Sequence, residues 1–244
     1  MTLEHAAIVT FGAFAGGFVS GLAGFGTGLV ALGIWLHVLE PGLATLLVLI
    51  CSVVSHVQTI PEVLRAMQPS RVLPFVIPGL LGVPFGIWLL GYADPASFKL
   101  AAGLLLIVFS SFMLLWRGQP AMSWGGRPAD AVIGLTGGVL GSFAGLSGLM
   151  PSIWASLRGW DKEQKRSVFQ AFNLSILAAS LFAHAISGRV SSAMLLPAAL
   201  ALPGTLIGAA LGVRTYRRLN DRNFSDLVMV LLLLSGLTLL FSLR

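Results

Sequence analysis

Charged residues and cysteines are scarce in this chain. Only 10% of its 244 residues are Asp, Glu, Lys or Arg, whereas 56% are hydrophobic, and the mean hydropathy is +0.91. A soluble globular domain carries about 25% charged residues, so the composition excludes that class and indicates a bilayer protein. Cys51 is the single cysteine, which excludes an intramolecular disulfide and a cysteine-based metal cluster.

Acidic residues are absent from the middle of every apolar run. The nine acids fall at the ends of runs: Glu4, Glu40, Glu62, Asp94, Asp130, Asp161, Glu163, Asp221 and Asp226. A cationic substrate would therefore have no counter-charge inside the membrane, which favours an anionic substrate. An ATP-binding motif and an acid-base constellation are also lacking, so we predict no enzymatic activity, no cofactor and no metal ion.

Eight apolar runs are long enough to cross a bilayer, which takes about 20 residues for roughly 30 Å of hydrocarbon. They lie near 6–36, 43–60, 72–93, 100–116, 131–157, 167–188, 190–213 and 227–243. They leave almost no room for an extramembrane domain, so we predict one membrane domain over residues 1–244. The first run is too long for a secretory signal peptide, and we expect it to stay in the mature protein.

The two halves of the chain repeat one glycine-rich motif at an offset of 121 residues. Gly16, Gly17, Ala23 and Gly24 recur as Gly137, Gly138, Ala144 and Gly145, and Pro78-Gly79 recurs later as Pro203-Gly204. We predict a first repeat over residues 6–118, a linker over 119–129 and a second repeat over 130–244.

The distribution of Lys and Arg depends on whether the two glycine-rich runs cross the membrane. If all eight runs cross, the 15 basic residues divide 6 against 9. If the glycine-rich runs enter and leave on the same face, only Lys99, Arg189 and Arg244 remain opposite the other twelve. The twelve are Arg65, Arg71, Arg117, Arg127, Arg158, Lys162, Lys165, Arg166, Arg214, Arg217, Arg218 and Arg222. The positive-inside rule favours this second arrangement, and it already explains the net charge of +6 without a nucleic-acid partner.

The second arrangement gives each half one re-entrant hairpin and three full spans, with the second half inverted relative to the first. The basic loops would be cytoplasmic and both termini outside. Inverted repeats are common in secondary transporters, where the substrate binds near the midplane. The first hairpin would have arms of about 15 residues, or roughly 22 Å each. The alternative is that Gly17-x-x-x-Gly21 and Gly24-x-x-x-Gly28 only let spanning helices pack closely.

The hairpin tips are the main candidates for substrate binding. Each tip would start a half-helix whose unpaired N–H groups and dipole attract an anion without a basic side chain. Thr27 and Ser147 would add hydroxyl donors. The first tip contains Gly24, Phe25, Gly26, Thr27 and Gly28, and the second contains Gly145, Leu146, Ser147 and Gly148.

Polar side chains in the second and sixth runs supply the remaining candidates. Ser52 and Asn173 coincide at the offset of 121, and Gln170 lies one helical turn before Asn173. They would be substrate ligands or, alternatively, would join neighbouring helices. His56 and His184 are the mid-run groups that titrate near neutral pH, so they are candidates for proton coupling. The alternative is that both are neutral hydrogen-bonding residues.

Several motifs together resemble the sulfite exporter TauE/SafE family. They are Gly-x-x-x-Gly-x-x-Gly-Phe-Gly at 17–26, Gly-x-x-Ala-Gly-Leu-Ser-Gly-x-x-Pro-x-x-Trp at 141–154, Leu-Arg-Gly-Trp-x-Lys at 157–162 and Phe172-Asn173. The resemblance implies a permease of the bacterial inner membrane for sulfite, organosulfonates or related small anions. It also implies a binding role for residues 24–28 and 145–148.

The combined interpretation is an all-α integral membrane protein that acts as a secondary transporter, and as an exporter of a small sulfur-containing oxyanion. Its expected partners are that anion and the lipid bilayer, and the sequence does not predict an oligomeric state. The alternatives are a passive anion channel and a permease for other small organic anions. An intramembrane enzyme that uses Cys51 and His56 as nucleophile and base is a more distant alternative.

Overall fold

A computed structural model describes residues 2–57, 68–115, 124–160 and 162–216, together with six single residues between 230 and 240. Within these ranges the regular elements are all helical, as predicted. The α-helices are α1 (Leu3–Ala23), α2 (Thr27–Trp35), α3 (Pro41–Val57), α4 (Pro69–Tyr92), α5 (Pro95–Leu115), α6 (Gly126–Ala144), α7 (Leu149–Leu157), α8 (Lys162–Ile186) and α9 (Leu195–Tyr216), and a 3-10 turn covers Ser192–Met194. Most of the eighth apolar run and residues 119–123 of the predicted linker lie outside the described residues.

Five segments of these helices are long and apolar enough to cross a membrane. They are Leu3–Ala23, Pro69–Tyr92, Pro95–Phe112, Val168–Ile186 and Ser192–Tyr216. Large apolar side chains on their outer faces remain exposed, for example Phe85 and Trp88, which are 64% and 62% accessible. Such surfaces are stable against lipid rather than water, so the predicted class of integral membrane protein is confirmed.

Both glycine-rich runs are broken helices, and the break has the same geometry in each. Gly24 and Gly145 end α1 and α6 in the left-handed region, with φ of 76° and 69°. The N–H of each donates to a carbonyl four residues earlier, over 2.8 Å in both cases. Glycine occupies this region without a steric penalty, which makes it the common helix terminator. Two glycines that are 121 residues apart in the sequence therefore end their helices with the same backbone geometry.

The chain folds back on itself after each break. The indole N–H of Trp35 on α2 donates to the carbonyl of Val9 on α1 over 3.0 Å. In the second half, the indole N–H of Trp154 on α7 donates to Oδ1 of Asp130 on α6 over 2.6 Å. Val9 and Asp130 are again 121 residues apart. We call α1 with α2 the first hairpin and α6 with α7 the second hairpin.

The expectation of arms of about 15 residues is wrong, because the arms are unequal. The first hairpin has arms of 21 and 9 residues, and the second has arms of 19 and 9 residues. Thr2 caps α1 by accepting the N–H of His5 over 3.3 Å, so this helix starts before the apolar run, and the left-handed glycines end it past the midpoint of the run. The short arms measure about 14 Å each at 1.5 Å per residue.

The long arm of each hairpin packs against a helix of the other half. Gly17 and Gly21 of α1 lie against the backbone of Thr205 and Ala209 on α9. In the same way, Gly134 and Gly138 of α6 lie against Phe75 and Gly79 on α4. A methyl group at any of these glycines would clash with the facing backbone. The glycines of the long arms therefore serve close helix packing, which was the alternative role predicted for them. The helix breaks occur at other glycines.

Candidate functional site

The two hairpin tips meet in the protein interior and enclose a small cavity, which we call the central cavity. A Cβ added at Gly28 would lie 2.6 Å from the carbonyl oxygen of Gly145, and one added at Gly148 would lie 2.8 Å from Phe25. Twelve residues line the cavity: Phe25, Gly26, Thr27, Leu29, Ser52, His56, Gly145, Leu146, Ser147, Gly148, Asn173 and Leu177. The two tips therefore face each other, together with residues from α3 and α8.

The central cavity is small. Its volume is about 10 Å³, which is room for about one water molecule. An oxyanion is larger than one water molecule, so the tips would have to move apart to admit it.

Thr27, the first residue of α2, carries the most informative polar group in the cavity. Its side chain is 1% exposed, and its hydroxyl has no hydrogen-bond partner in the described structure. A buried polar group without a partner costs about 1–3 kcal/mol, and native proteins retain few of them. Thr27 lines the central cavity, so a ligand bound there would supply the missing partner.

The backbone at the start of α2 offers further donors. Its N-cap is Gly26, which is left-handed at φ 106° and has no side chain to cap the helix. The first intrahelical bond in this turn joins the N–H of Val30 to the carbonyl of Gly26. The N–H groups of the preceding residues have no helical carbonyl to reach, as in any first turn. Donors and the positive end of the helix dipole thus lie at the cavity wall.

Asn173 connects the two tips through its side-chain amide. The Ser147 hydroxyl donates to Oδ1 of Asn173 over 2.6 Å, and Nδ2 of Asn173 donates to the carbonyl of Gly24 over 3.4 Å. Asn173 is 1% exposed. Asn173 accepts the Ser147 proton in this conformation, and the donation of that proton to a ligand stays a prediction.

His56 on α3 also lines the cavity and is hydrogen-bonded to the first tip. Its Nδ1 lies 2.6 Å from the carbonyl of Ser52, and its Nε2 lies 3.2 Å from the carbonyl of Gly24. A neutral imidazole has one N–H, whereas the imidazolium has two. Only the protonated ring can donate to both carbonyls in this geometry.

Some predicted site residues lie outside the cavity lining. Gly24 contributes its carbonyl oxygen, which accepts from Asn173 and His56, but it does not line the cavity. Gly28 instead packs against the second tip. Gln170 is buried and does not line the cavity. His184 does not line it either, and its Nε2 lies 3.2 Å from the carbonyl of Ser142. Cys51 is buried and also does not line the cavity.

Sequence reasoning missed two apolar lining residues, Leu29 and Leu177. Leu177 lies four residues after Asn173, on the same face of α8, and this spacing could have identified it. Leu29 follows the first tip by one residue. Both residues make the cavity wall less polar and restrict its size.

The donor set is suited to an anion. Among the described residues, the cavity lining contains no Asp, Glu, Lys or Arg, and no group of three or more His, Cys, Asp or Glu that could hold a metal was found. Neutral donors in a site of low polarity bind anions without a fixed positive side chain, since each hydrogen bond is stronger there than in water.

Comparison with known proteins identifies a family. The family model described as "Sulfite exporter TauE/SafE" matches residues 8–239 of the 244-residue chain. The match includes the second hairpin, the first hairpin from residue 8 onward and every residue of the central cavity. No curated protein and no solved structure matches the chain.

Proposed function

We propose that this chain, which belongs to the sulfite exporter TauE/SafE family, exports a small sulfur-containing oxyanion such as sulfite or a short organosulfonate. The family consists of membrane transporters, and the multi-pass helical structure agrees with that role. The observation that carries the proposal is the buried, unpartnered hydroxyl of Thr27 in a cavity lined by both tips.

The bound anion would lie between the two tips. The Thr27 hydroxyl and the amides at the start of α2 are the donors on one side, and the backbone around Ser147 and Gly148 faces them. Asn173 and Ser52 would orient the anion through their side chains. Because an oxyanion accepts several hydrogen bonds at once, a cluster of N–H and O–H donors is a sufficient binding site.

We assign the two halves to inverted repeats with re-entrant hairpins. Support comes from the shared geometry of Gly24 and Gly145, and from the paired bonds of Trp35 and Trp154 to the long arms. Re-entrant backbone is tolerated at membrane depth when it is buried in protein, and both breaks are buried. This arrangement places the site near the midplane.

The orientation that we propose puts the basic loops in the cytoplasm of a bacterium, and both termini outside its inner membrane. Arg127 at the start of the second hairpin and Arg158 after it line one cavity together with Arg71 at the start of α4. Arg189 lies at the other end of α4, against Gly91. This separation of Arg189 from the other three supports the face assigned to each loop.

Transport would require the tips to separate, first toward one side of the membrane and then toward the other. The small volume of the central cavity supports the assignment of this conformation to an occluded state between these openings. Pro74, Pro78 and Pro84 in α4 and Pro203 in α9 interrupt the helices against which the long arms pack. Missing backbone hydrogen bonds at these positions make the two helices candidates for hinges.

His56 is the candidate for proton coupling. Its imidazolium form satisfies the carbonyls of Ser52 and Gly24 and would place the only positive side chain at the cavity. Loss of the proton would remove one of these bonds and the charge, which would weaken the hold on the anion. His184 lies outside the cavity, so we assign it no contact with the substrate.

Flux into proteoliposomes tests the function. Vesicles containing the purified protein are loaded with unlabelled sulfite, and uptake of labelled sulfite is measured. A transporter gives saturable uptake that is accelerated by sulfite on the opposite side. Linear uptake that internal sulfite does not accelerate would indicate the passive channel instead. The variant Thr27→Val should raise the half-saturating concentration, and Thr205→Val serves as the matched control.

A further inference from the structure

A second cavity lies where α4 and α6 begin and α7 ends, and we call it the basic cavity. It has a volume of about 320 Å³ and is lined by Arg71, Arg127 and Arg158, with Asp130 as the one acid. It is distinct from the central cavity. The nine-residue helix α7 lies between them, since Gly148 before it lines the central cavity and Arg158 after it lines the basic cavity.

The described residues that line the basic cavity carry more positive than negative charge. In the part of the chain that the structure describes, no carboxylate forms an ion pair with the three arginines. Oδ1 of Asp130 accepts the indole N–H of Trp154. Arg158 lies over the Trp154 ring, 5.5 Å from its centre, and its Nη1 donates to the carbonyl of Trp124 over 3.5 Å. Among the described lining residues, three guanidinium groups therefore face one carboxylate, which favours an anionic ligand.

The helices that form the cavity add to the positive electrostatic potential of the arginines. α4 and α6 pack in the same direction, because Phe75 meets Gly134 and Gly79 meets Gly138. Their N-termini therefore lie side by side, and neither N-cap, Gln68 or Gly125, makes a side-chain hydrogen bond to its helix. Two positive dipole ends reinforce the arginines.

Exposed apolar side chains follow the arginines on the same two helices. On α4, Leu73 and Ile77 are 48% and 58% exposed, and on α6, Val132 and Leu135 are 60% and 38% exposed. Such side chains face lipid in a membrane protein. The basic cavity therefore lies at the end of two lipid-facing helices, where a lipid headgroup can reach it.

We propose that the basic cavity binds a phosphate group, in the form of an anionic phospholipid headgroup or a soluble phosphate. Arginine recognises phosphate by two parallel hydrogen bonds, which makes it the preferred residue for such sites. Basic pockets between membrane helices on the cytoplasmic side bind anionic headgroups for the same reason. The cavity of about 320 Å³ is also large enough for a phosphate and several waters.

Two binding measurements on the purified protein distinguish the sources. In the first, native mass spectrometry from neutral detergent compares adducts of phosphatidylglycerol with adducts of phosphatidylcholine. In the second, inorganic phosphate is titrated while tryptophan fluorescence is recorded, since Trp160 lines the cavity. Both are repeated with Arg127→Gln/Arg158→Gln, with Arg71→Gln as a milder variant, and with Lys99→Gln as the control at the opposite end.

If the ligand is a lipid, the wild type should bind phosphatidylglycerol in preference to phosphatidylcholine. This preference should fall about tenfold in the double variant and measurably in Arg71→Gln, and it should not change in Lys99→Gln. The soluble source predicts a saturable fluorescence change with phosphate that the same variants weaken. If the wild type shows neither effect, or if the arginine variants bind as tightly as the control, the proposal is wrong. Arg71 is exposed at the end of a helix, so its substitution keeps the test valid should the double variant fail to fold.

Discussion

The hydroxyl of Ser147 donates to Oδ1 of Asn173 over 2.6 Å, whereas the hydroxyl of Thr27 across the cavity has no partner. The second tip is therefore held to α8 by a side chain, while the first tip presents an unused donor. This difference makes Thr27 the residue whose hydrogen bond is expected to form only when a ligand is bound.

Thr27→Val should weaken anion binding without destabilising the empty protein. Valine has nearly the same shape, and it removes a buried hydroxyl that is unsatisfied without ligand, a group that costs about 1–3 kcal/mol. We expect an unchanged or higher melting temperature and about a tenfold weaker sulfite affinity, which equals about 1.4 kcal/mol. Thr205→Val is the control, because its hydroxyl donates to the carbonyl of Ala201. A lower melting temperature for Thr27→Val would contradict this account of the hydroxyl.

Gly28→Ala should disrupt the contact between the tips. The new methyl group would lie 2.6 Å from the carbonyl of Gly145 and 3.0 Å from a methyl of Val48. Overpacking of this kind costs about 1–3 kcal/mol, so thermal denaturation in detergent should show a clear loss of stability. At Gly42, no atom lies within 4 Å of an added Cβ, and Gly42→Ala should be neutral or stabilising. Equal behaviour of the two variants would mean that the tips do not touch.

The Trp154 bond to Asp130 should stabilise the second hairpin. A double-mutant cycle with Trp154→Phe and Asp130→Ala is expected to give a coupling energy of about 1 kcal/mol, within the range of 0.5–3 kcal/mol for groups in contact. The bond of 2.6 Å between them provides the coupling. A cycle between Trp154→Phe and Asp94→Ala should give no coupling. Additive effects of Trp154→Phe and Asp130→Ala would show that α7 is not held by this bond.

Asp94, which lies between α4 and α5, should make the stability of the folded protein depend on pH. Its Oδ1 accepts the N–H groups of Ala96 and Ser97 at the start of α5, and hydrogen bonds from Ser97, first from its side chain, lower the pKa of Asp94 below its ordinary value of 3.8. A lowered folded-state pKa stabilises the protein above the ordinary value, and this contribution is lost as the pH falls through the folded-state pKa.

The corresponding experiment compares the melting temperatures of the wild type and Asp94→Ala from neutral to acidic pH. We expect the wild type to melt higher by a constant amount at neutral pH, and the difference to shrink below the ordinary Asp range. A difference that grows on acidification would have the wrong sign for this carboxylate.

The sequence predicted the helical class and the residues that meet at the tips, for physical reasons that are local. A composition with so few charges leaves a bilayer as the only suitable environment, and glycine commonly ends a helix because it adopts the left-handed region without a steric penalty. The offset that matched Gly24 to Gly145 therefore identified both breaks. Ser52 and Asn173 were found in the same way, since polar residues in apolar helices usually face the protein interior.

Other features depend on distant parts of the chain, and the sequence did not reveal them. The unequal arms follow from the Thr2 cap and from the position of the break, and the pairing of α1 with α9 follows from backbone contact at Gly17. Tertiary structure also decides which of the two tip hydroxyls has a hydrogen-bond partner, because Asn173 reaches Ser147 but not Thr27. The basic cavity brings together Arg71 at the start of α4, Arg127 at the start of α6 and Arg158 after α7, which no local pattern predicts.

The most direct test of the central claim is thermal stabilisation of the purified protein by a panel of anions, namely sulfite, sulfate, thiosulfate, short sulfonates and small carboxylates. A ligand at 100 times its dissociation constant stabilises by about 2.7 kcal/mol. The account predicts selective stabilisation by a sulfur oxyanion, reduced in Thr27→Val, abolished in Asn173→Asp by charge repulsion, and preserved in Thr205→Val. The absence of stabilisation by any anion, or equal stabilisation of all three variants, would contradict a substrate site between the hairpin tips.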